Sequence, residues 1–179
     1  MKTWAVRLAT LLKRSRLALL LVNTTTCCAV GTLGDLCQQR ISQSGPNDWA
    51  RTGRMAALGL CMGPVTHYWY LILDVALPGT KGATVVKKVL ANQLLMAPTN
   101  YCIFFTGMAL LEGHTVHAAV EELQSKFWST YKMDWLVWPA AQTVNFVFVP
   151  PMLRVAYVNM VAFLWATYLS HVKHKTLVR

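Results

Sequence analysis

From Leu17 to Gly34 the chain carries no charged side chain. A helix needs a predominantly apolar stretch of about 20 residues to cross the hydrocarbon core of a bilayer. Comparable apolar stretches follow at about 55–73, 89–111 and 135–170. Hydrophobic residues make up 55% of the sequence and charged ones only 13%. Soluble domains carry about 25% charge, so this chain has too little charge to cover a water-facing surface. The expected fold is all-α: a polytopic helical membrane protein with about four transmembrane helices plus an amphipathic surface helix.

The net charge of +10 is unevenly placed. No acidic residue precedes Asp35, whereas Lys2, Arg7, Lys13, Arg14 and Arg16 cluster near the start. On a helix, Trp4, Leu8, Leu11 and Leu12 share one face. A basic, acid-free amphipathic start is the pattern of mitochondrial import, and it also suits the positive flank of a first span. Residues 1–16 are therefore expected to form a targeting or interfacial segment, 17–172 a single helical membrane domain, and 173–179 a basic tail. Basic ends flanking apolar runs suit anionic lipid headgroups. They equally suit an RNA-rich partner, because phosphate neutralisation uses the same side chains.

The first span is expected at about 17–36, followed by a polar loop from Gln38 to Asp48. The second, at 55–73, contains Gly59 and Gly63 at the spacing that lets helices approach closely, within a chain or between chains. Pro64 predicts a kink in it. The third, at 89–111, is interrupted by Asn92, Gln93, Pro98 and Asn100. Residues 115–132 place Val116, Val120, Leu123, Phe127 and Tyr131 on one helical face. Glu121, Glu122, Lys126 and Lys132 lie opposite, with Glu122–Lys126 a favourable i,i+4 pair; this reads as a helix lying on the membrane surface. The last stretch, 135–170, is divided by Pro150 and Pro151 and reads as one broken span or two. An even number of spans would put both basic termini and the basic 77–88 loop on one side.

Catalytic and cofactor motifs are missing. There is no Gly-rich phosphate loop and no nucleophile elbow. His114/His117 and His171/His174 have helical spacing but no completed ligand set. Cys27, Cys28, Cys37, Cys61 and Cys102 are odd in number and irregular in spacing, which argues against a disulfide framework; they read as small buried apolar residues. No enzyme activity, cofactor, metal or DNA partner is expected. The polar groups in or beside the spans, Asp74, Asn92, Gln93, Asp134, Gln142, Asn145 and Arg154, are candidates for lining a water-filled path or for structural pairing, because lipid cannot satisfy them.

The segment from Phe127 to Lys173 contains W-x-x-W-P-x-x-Q-x-x-N-F-x-F-V-P-P-x-x-R, and GPVTHYWY, KKVLANQL and LEG lie upstream. These pieces resemble the Mpv-seventeen and peroxisomal membrane protein family, over most of the chain beyond the N-terminus. LEGHTV and TYLSHVKH resemble its Mpv-seventeen-like protein two branch. Carried over by position, the signature residues are Trp135, Trp138, Pro139, Gln142, Asn145, Phe146, Pro150 and Arg154, followed by Asn159, Trp165 and Tyr168. The resemblance implies a four-span protein of the mitochondrial inner membrane or the peroxisomal membrane. The branch implies a role in mitochondrial ribosome assembly and translation, with ribosomal subunits as partners. Other parts of the family imply a channel.

Overall fold

A computed structural model describes residues 2–42, 46–78, 82–148 and 154–174, with side chains described for all of these except 2–16, 74, 145–147 and 154–156. The described residues are almost entirely helical. Helix α1 spans Lys2–Ser42 and α2 spans Trp49–Ala76. Helices α3 (Gly82–Ala91) and α4 (Ala97–Leu111) form one rod, joined by a wide π-helical turn at Asn92–Met96. Helix α5 runs Val116–Val147 and α6 runs Arg154–His174. Three segments are long and apolar enough to cross a membrane: Leu17–Ser42, Trp49–Leu73 and Gly82–Leu111.

Local chemistry explains the boundaries. Asp48 caps α2 by accepting from the Arg51 backbone N–H at 2.9 Å, and Thr115 does the same for α5 toward Ala118 at 3.3 Å. Side-chain oxygens at this position satisfy donors the helix leaves open. Helix α4 ends at Gly113, whose φ of +83° is the left-handed conformation that glycine adopts without a Cβ penalty. There, His114 N–H bonds Ala109 C=O and Gly113 N–H bonds Leu110 C=O, both at 3.0 Å. The π turn sits just before Pro98. Proline has no N–H for the regular ladder and its ring crowds the preceding turn, so widening that turn relieves both conflicts. Helix α2 passes through Pro64 without a break.

Helices α1 and α2 are antiparallel and nearly touch. A Cβ on Gly59 would lie 2.8 Å from the Cys27 carbonyl oxygen, and one on Gly63 would lie 2.5 Å from Thr24 Cα. The glycine pair therefore packs within the chain. Gly34 likewise brings α6 against α1, its missing Cβ 2.7 Å from Ala166 Cβ. Met55, Leu58, Ala97, Tyr101, Phe104, Phe105 and Met108 form the apolar core between α2 and α4. Large apolar side chains such as Leu19, Val22, Ile72, Leu94, Leu95 and Leu164 face outward. Among the described residues, the buried polar and charged ones are at least as numerous as the buried apolar ones. An apolar exterior over a partly polar interior suits lipid as the outer solvent.

Several expectations change. Gln38 and Gln39 are not loop residues: α1 continues to Ser42 and both are buried. Residues 115–132 do not form a separate helix; they are the first half of α5, which continues through Trp135 and Pro139 to Val147. At 32 residues, α5 is about 48 Å long. The 135–170 stretch, left open by the sequence as one broken span or two, is the end of α5 followed by α6. Lys126 meets Lys173, and Trp138 meets Trp165, so these two helices are antiparallel. Because α1 and α6 bring their C-terminal ends together, through Gln38 and His171, the start of α1 and the end of α6 lie at opposite ends of the bundle rather than on one side. The cysteines are less buried than expected: Cys27, Cys28 and Cys37 are half-buried, and Cys61 and Cys102 are exposed.

Candidate functional site

Two buried polar regions organise the interior. The first caps the end where the C-termini of α1, α4 and α6 meet the N-termini of α2 and α5. Asp35 is fully enclosed. Its Oδ1 accepts from Arg51 Nε at 2.7 Å and Ser170 Oγ at 2.6 Å. Its Oδ2 accepts from Thr52 Oγ1 at 2.7 Å and Gln39 Nε2 at 2.8 Å. Arg51 Nη2 also donates to Gln38 Oε1 at 3.0 Å and Ser170 Oγ at 2.8 Å. The acid thus has four donors from three helices, one of them its counterion Arg51.

A second knot adjoins it. Lys173 Nζ of α6 donates to Glu122 of α5 at 2.6 Å and pairs with Glu112, after α4, at 2.7 Å. Lys126 reaches Glu122 at 2.8 Å and the Lys173 backbone carbonyl. Burial alone would push the Glu122 carboxyl up, but the hydrogen bonds and charges of Lys126 and Lys173 outweigh it and hold the carboxyl below its ordinary range. Burial pushes the nearby His174 imidazole down. Ligand atoms of Glu112, His114 and Glu122 lie within 4.8 Å of one another, close enough to suggest a metal site. The Lys173 ammonium already occupies the place a cation would take, which makes this a structural ion cluster.

The second region is a cavity of about 240 Å³ between α2, the α3–α4 rod, α5 and α6. Asp134 of α5 is 3% exposed and lines it. Asp134 accepts from Gln93 Nε2 at 2.6 Å and from the Tyr101 hydroxyl. Tyr131 donates to the Gln93 carbonyl at 3.0 Å, and Trp69 Nε1 donates to Asn92 Oδ1 at 3.2 Å. The π turn makes this possible, because it carries both Asn92 and Gln93 and aims them at two different helices. Such turns recur at functional sites. Trp138 and Trp165 close another wall with ring centroids 6.4 Å apart at 71°.

The structure gathers Asn92, Gln93, Asp134, Trp138, Gln142 and Trp165 of the expected residues around this cavity. Tyr168 stacks beside Trp165, with centroids 4.9 Å apart. Trp135 and Asn159 instead face outward. Pro139 lies inside α5, where it breaks nothing. The side chains of Asp74, Asn145, Phe146 and Arg154, and the whole of Pro150, lie outside the described residues. Sequence reasoning missed Tyr101 as a partner of Asp134 and missed the Asp35–Arg51–Ser170 clamp. The signal for the clamp was an acid at the end of an uncharged run, with an arginine 16 positions later across a turn.

Fold and interior together define a helical membrane protein with a cavity inside the bundle, mostly apolar in its lining but holding Asp134, Asn92 and Gln93. Residues 109–170 match the Mpv17 / PMP22 family. An Mpv17-like protein of Xenopus laevis is 32% identical over 160 residues, covering 88% of this chain and 78% of that protein. Protein sym-1 of Neurospora crassa is 38% identical over 157 residues, covering 84% and 90%. Peroxisomal membrane protein 2 of Bos taurus is 33% identical over 134 residues, covering 75% and 66%. No solved structure matches. The chain belongs to the Mpv17 / PMP22 family.

Proposed function

We propose that this chain is a non-enzymatic pathway for small solutes across an organellar membrane. The observation that carries this is the cavity that Asp134, Asn92, Gln93 and Gln142 line between four helical elements of a bundle whose exterior is apolar. An acid placed there costs free energy unless it is paired or used. Purified protein reconstituted into liposomes should release small hydrophilic solutes faster than empty liposomes, and Asp134→Asn should alter the ratio of cation to anion passage. Release no faster than from empty liposomes overturns the proposal.

The acid-free basic N-terminal segment supports the mitochondrial inner membrane as the location, in contact with anionic lipids. The name of the bovine relative, peroxisomal membrane protein 2, supports the peroxisomal membrane as the alternative. Organelle fractionation decides between them. A second reading follows from the net charge of +10. Basic segments beyond the membrane would dock on mitochondrial ribosomal subunits and support their assembly and translation. It requires co-sedimentation with those subunits that weakens steeply as salt rises; unchanged ribosome profiles in cells lacking the protein would rule it out.

A further inference from the structure

The cavity is chemically one-sided. Among the described residues its lining contains one acid, Asp134, and no Lys, Arg or His. The partners of Asp134 are Gln93 and Tyr101, both uncharged, so no described basic side chain neutralises it. A carboxylate offers about four lone-pair directions, and these two donors take up two of them. A second acceptor belongs to a residue of α4 that lines the same cavity: Asn100 Oδ1 is buried and has no hydrogen-bond partner among the described residues. Tyr101, Phe104, Trp138 and Trp165 supply aromatic surface around both.

These features select among occupants. An anion would meet the uncompensated charge of Asp134. A neutral apolar molecule would leave Asp134 and Asn100 unmatched in a dry site, which is costly. A metal ion would shed its water against ring faces that cannot coordinate it as oxygen does. An ammonium group carries both the positive charge and the N–H donors that the two acceptors lack, and a short carbon chain fits aromatic walls that attract cations. Sites for drug-sized ligands run about 300–1,000 Å³, so a cavity of about 240 Å³ admits something smaller.

We propose that this cavity binds a small primary ammonium ion, with Asp134 as its counterion, Asn100 Oδ1 as a second acceptor, and Trp138 and Trp165 as its apolar wall. The inference rests on reading the cavity as a solute site and names the class of solute.

The test uses the full chain in lipid nanodiscs, with empty nanodiscs subtracted, titrated with propylammonium, with propan-1-ol as a neutral molecule of similar size, and with potassium. Quenching of tryptophan fluorescence and calorimetry read the binding. Propylammonium should bind saturably and at least about tenfold more tightly than propan-1-ol or potassium, a gap of about 1.4 kcal/mol. Asp134→Asn should remove most of that gap, and Asn100→Leu a smaller part. Equal binding of propan-1-ol, or no saturable binding of propylammonium, overturns the site. The comparison of ligands on the unaltered chain holds even where a variant fails to fold. Propylammonium binding without solute release from liposomes sinks the pathway and leaves the site standing. Solute release indifferent to Asp134→Asn and to ammonium sinks the site and leaves the pathway.

Discussion

Asp35 and Asp134 are both buried acids in the same helical bundle, yet their surroundings differ in kind. Asp35 accepts four hydrogen bonds and has Arg51 Nε at 2.7 Å. Asp134 accepts two, faces a cavity, and has no described basic partner. A buried charge whose needs are met within the protein holds helices together. One whose needs are partly open is poised for an occupant. The contrast separates structure from function more sharply than burial or residue type does, since both acids are almost wholly enclosed.

The largest expected effect breaks the satisfied side. Arg51→Met leaves Asp35 buried without its counterion, and removing one member of such a pair costs about 3–5 kcal/mol. Thermal unfolding in detergent should show the largest loss of stability among the variants considered. Next is Gly63→Val. A Cβ there would lie 2.5 Å from Thr24 Cα, so α1 and α2 must separate, at a cost toward the upper end of the about 1–3 kcal/mol of overpacking. The same unfolding assay checks it.

A smaller effect comes from the knot that ties α5 to α6. The Glu122 carboxyl is held below its ordinary value of 4.5. Its contribution is therefore complete above that value and is lost as pH falls through the lowered one. Glu122→Gln should cost about 1.5 kcal/mol near neutral pH, the scale of hydrogen bonds to a charged group. It should also flatten the loss of stability on acidification below pH 4.5. An unaltered acid limb would show that Lys126 and Lys173 do not stabilise the ionised form.

How much of this was legible beforehand follows from which forces act locally. Among the described residues, three of the four apolar runs, at about 17–36, 55–73 and 89–111, fall in the helical segments long and apolar enough to cross a membrane, whereas 135–170 does not. Those three were legible because length and hydropathy are properties of the segment itself. The pairing of Glu122 with Lys126 was legible from spacing. Its burial was not, because burial depends on α6 supplying Lys173 from 51 residues away. Helix α5 shows the same limit. Leu123, Phe127 and Tyr131 do pack against the core, but Val116 is 69% exposed and Thr130 is fully buried. Where lipid is the outer solvent, a polar stripe can be the inward one, so amphipathicity alone does not say which face is covered. The cavity residues Asn92, Gln93 and Asp134 stood out as polar groups in or beside apolar stretches. Asn100 stood out with them, and Tyr101 joined only through the register set by the π turn.

The most direct measurement compares Asp35→Asn with Asp134→Asn by thermal unfolding in the same lipid nanodisc. Removing the charge from Asp35 strands Arg51 and should lower the melting temperature by many degrees. Removing it from Asp134 relieves an uncompensated buried charge and should leave the melting temperature unchanged or raise it. Equal losses from the two substitutions would contradict the division into a structural acid and a poised one.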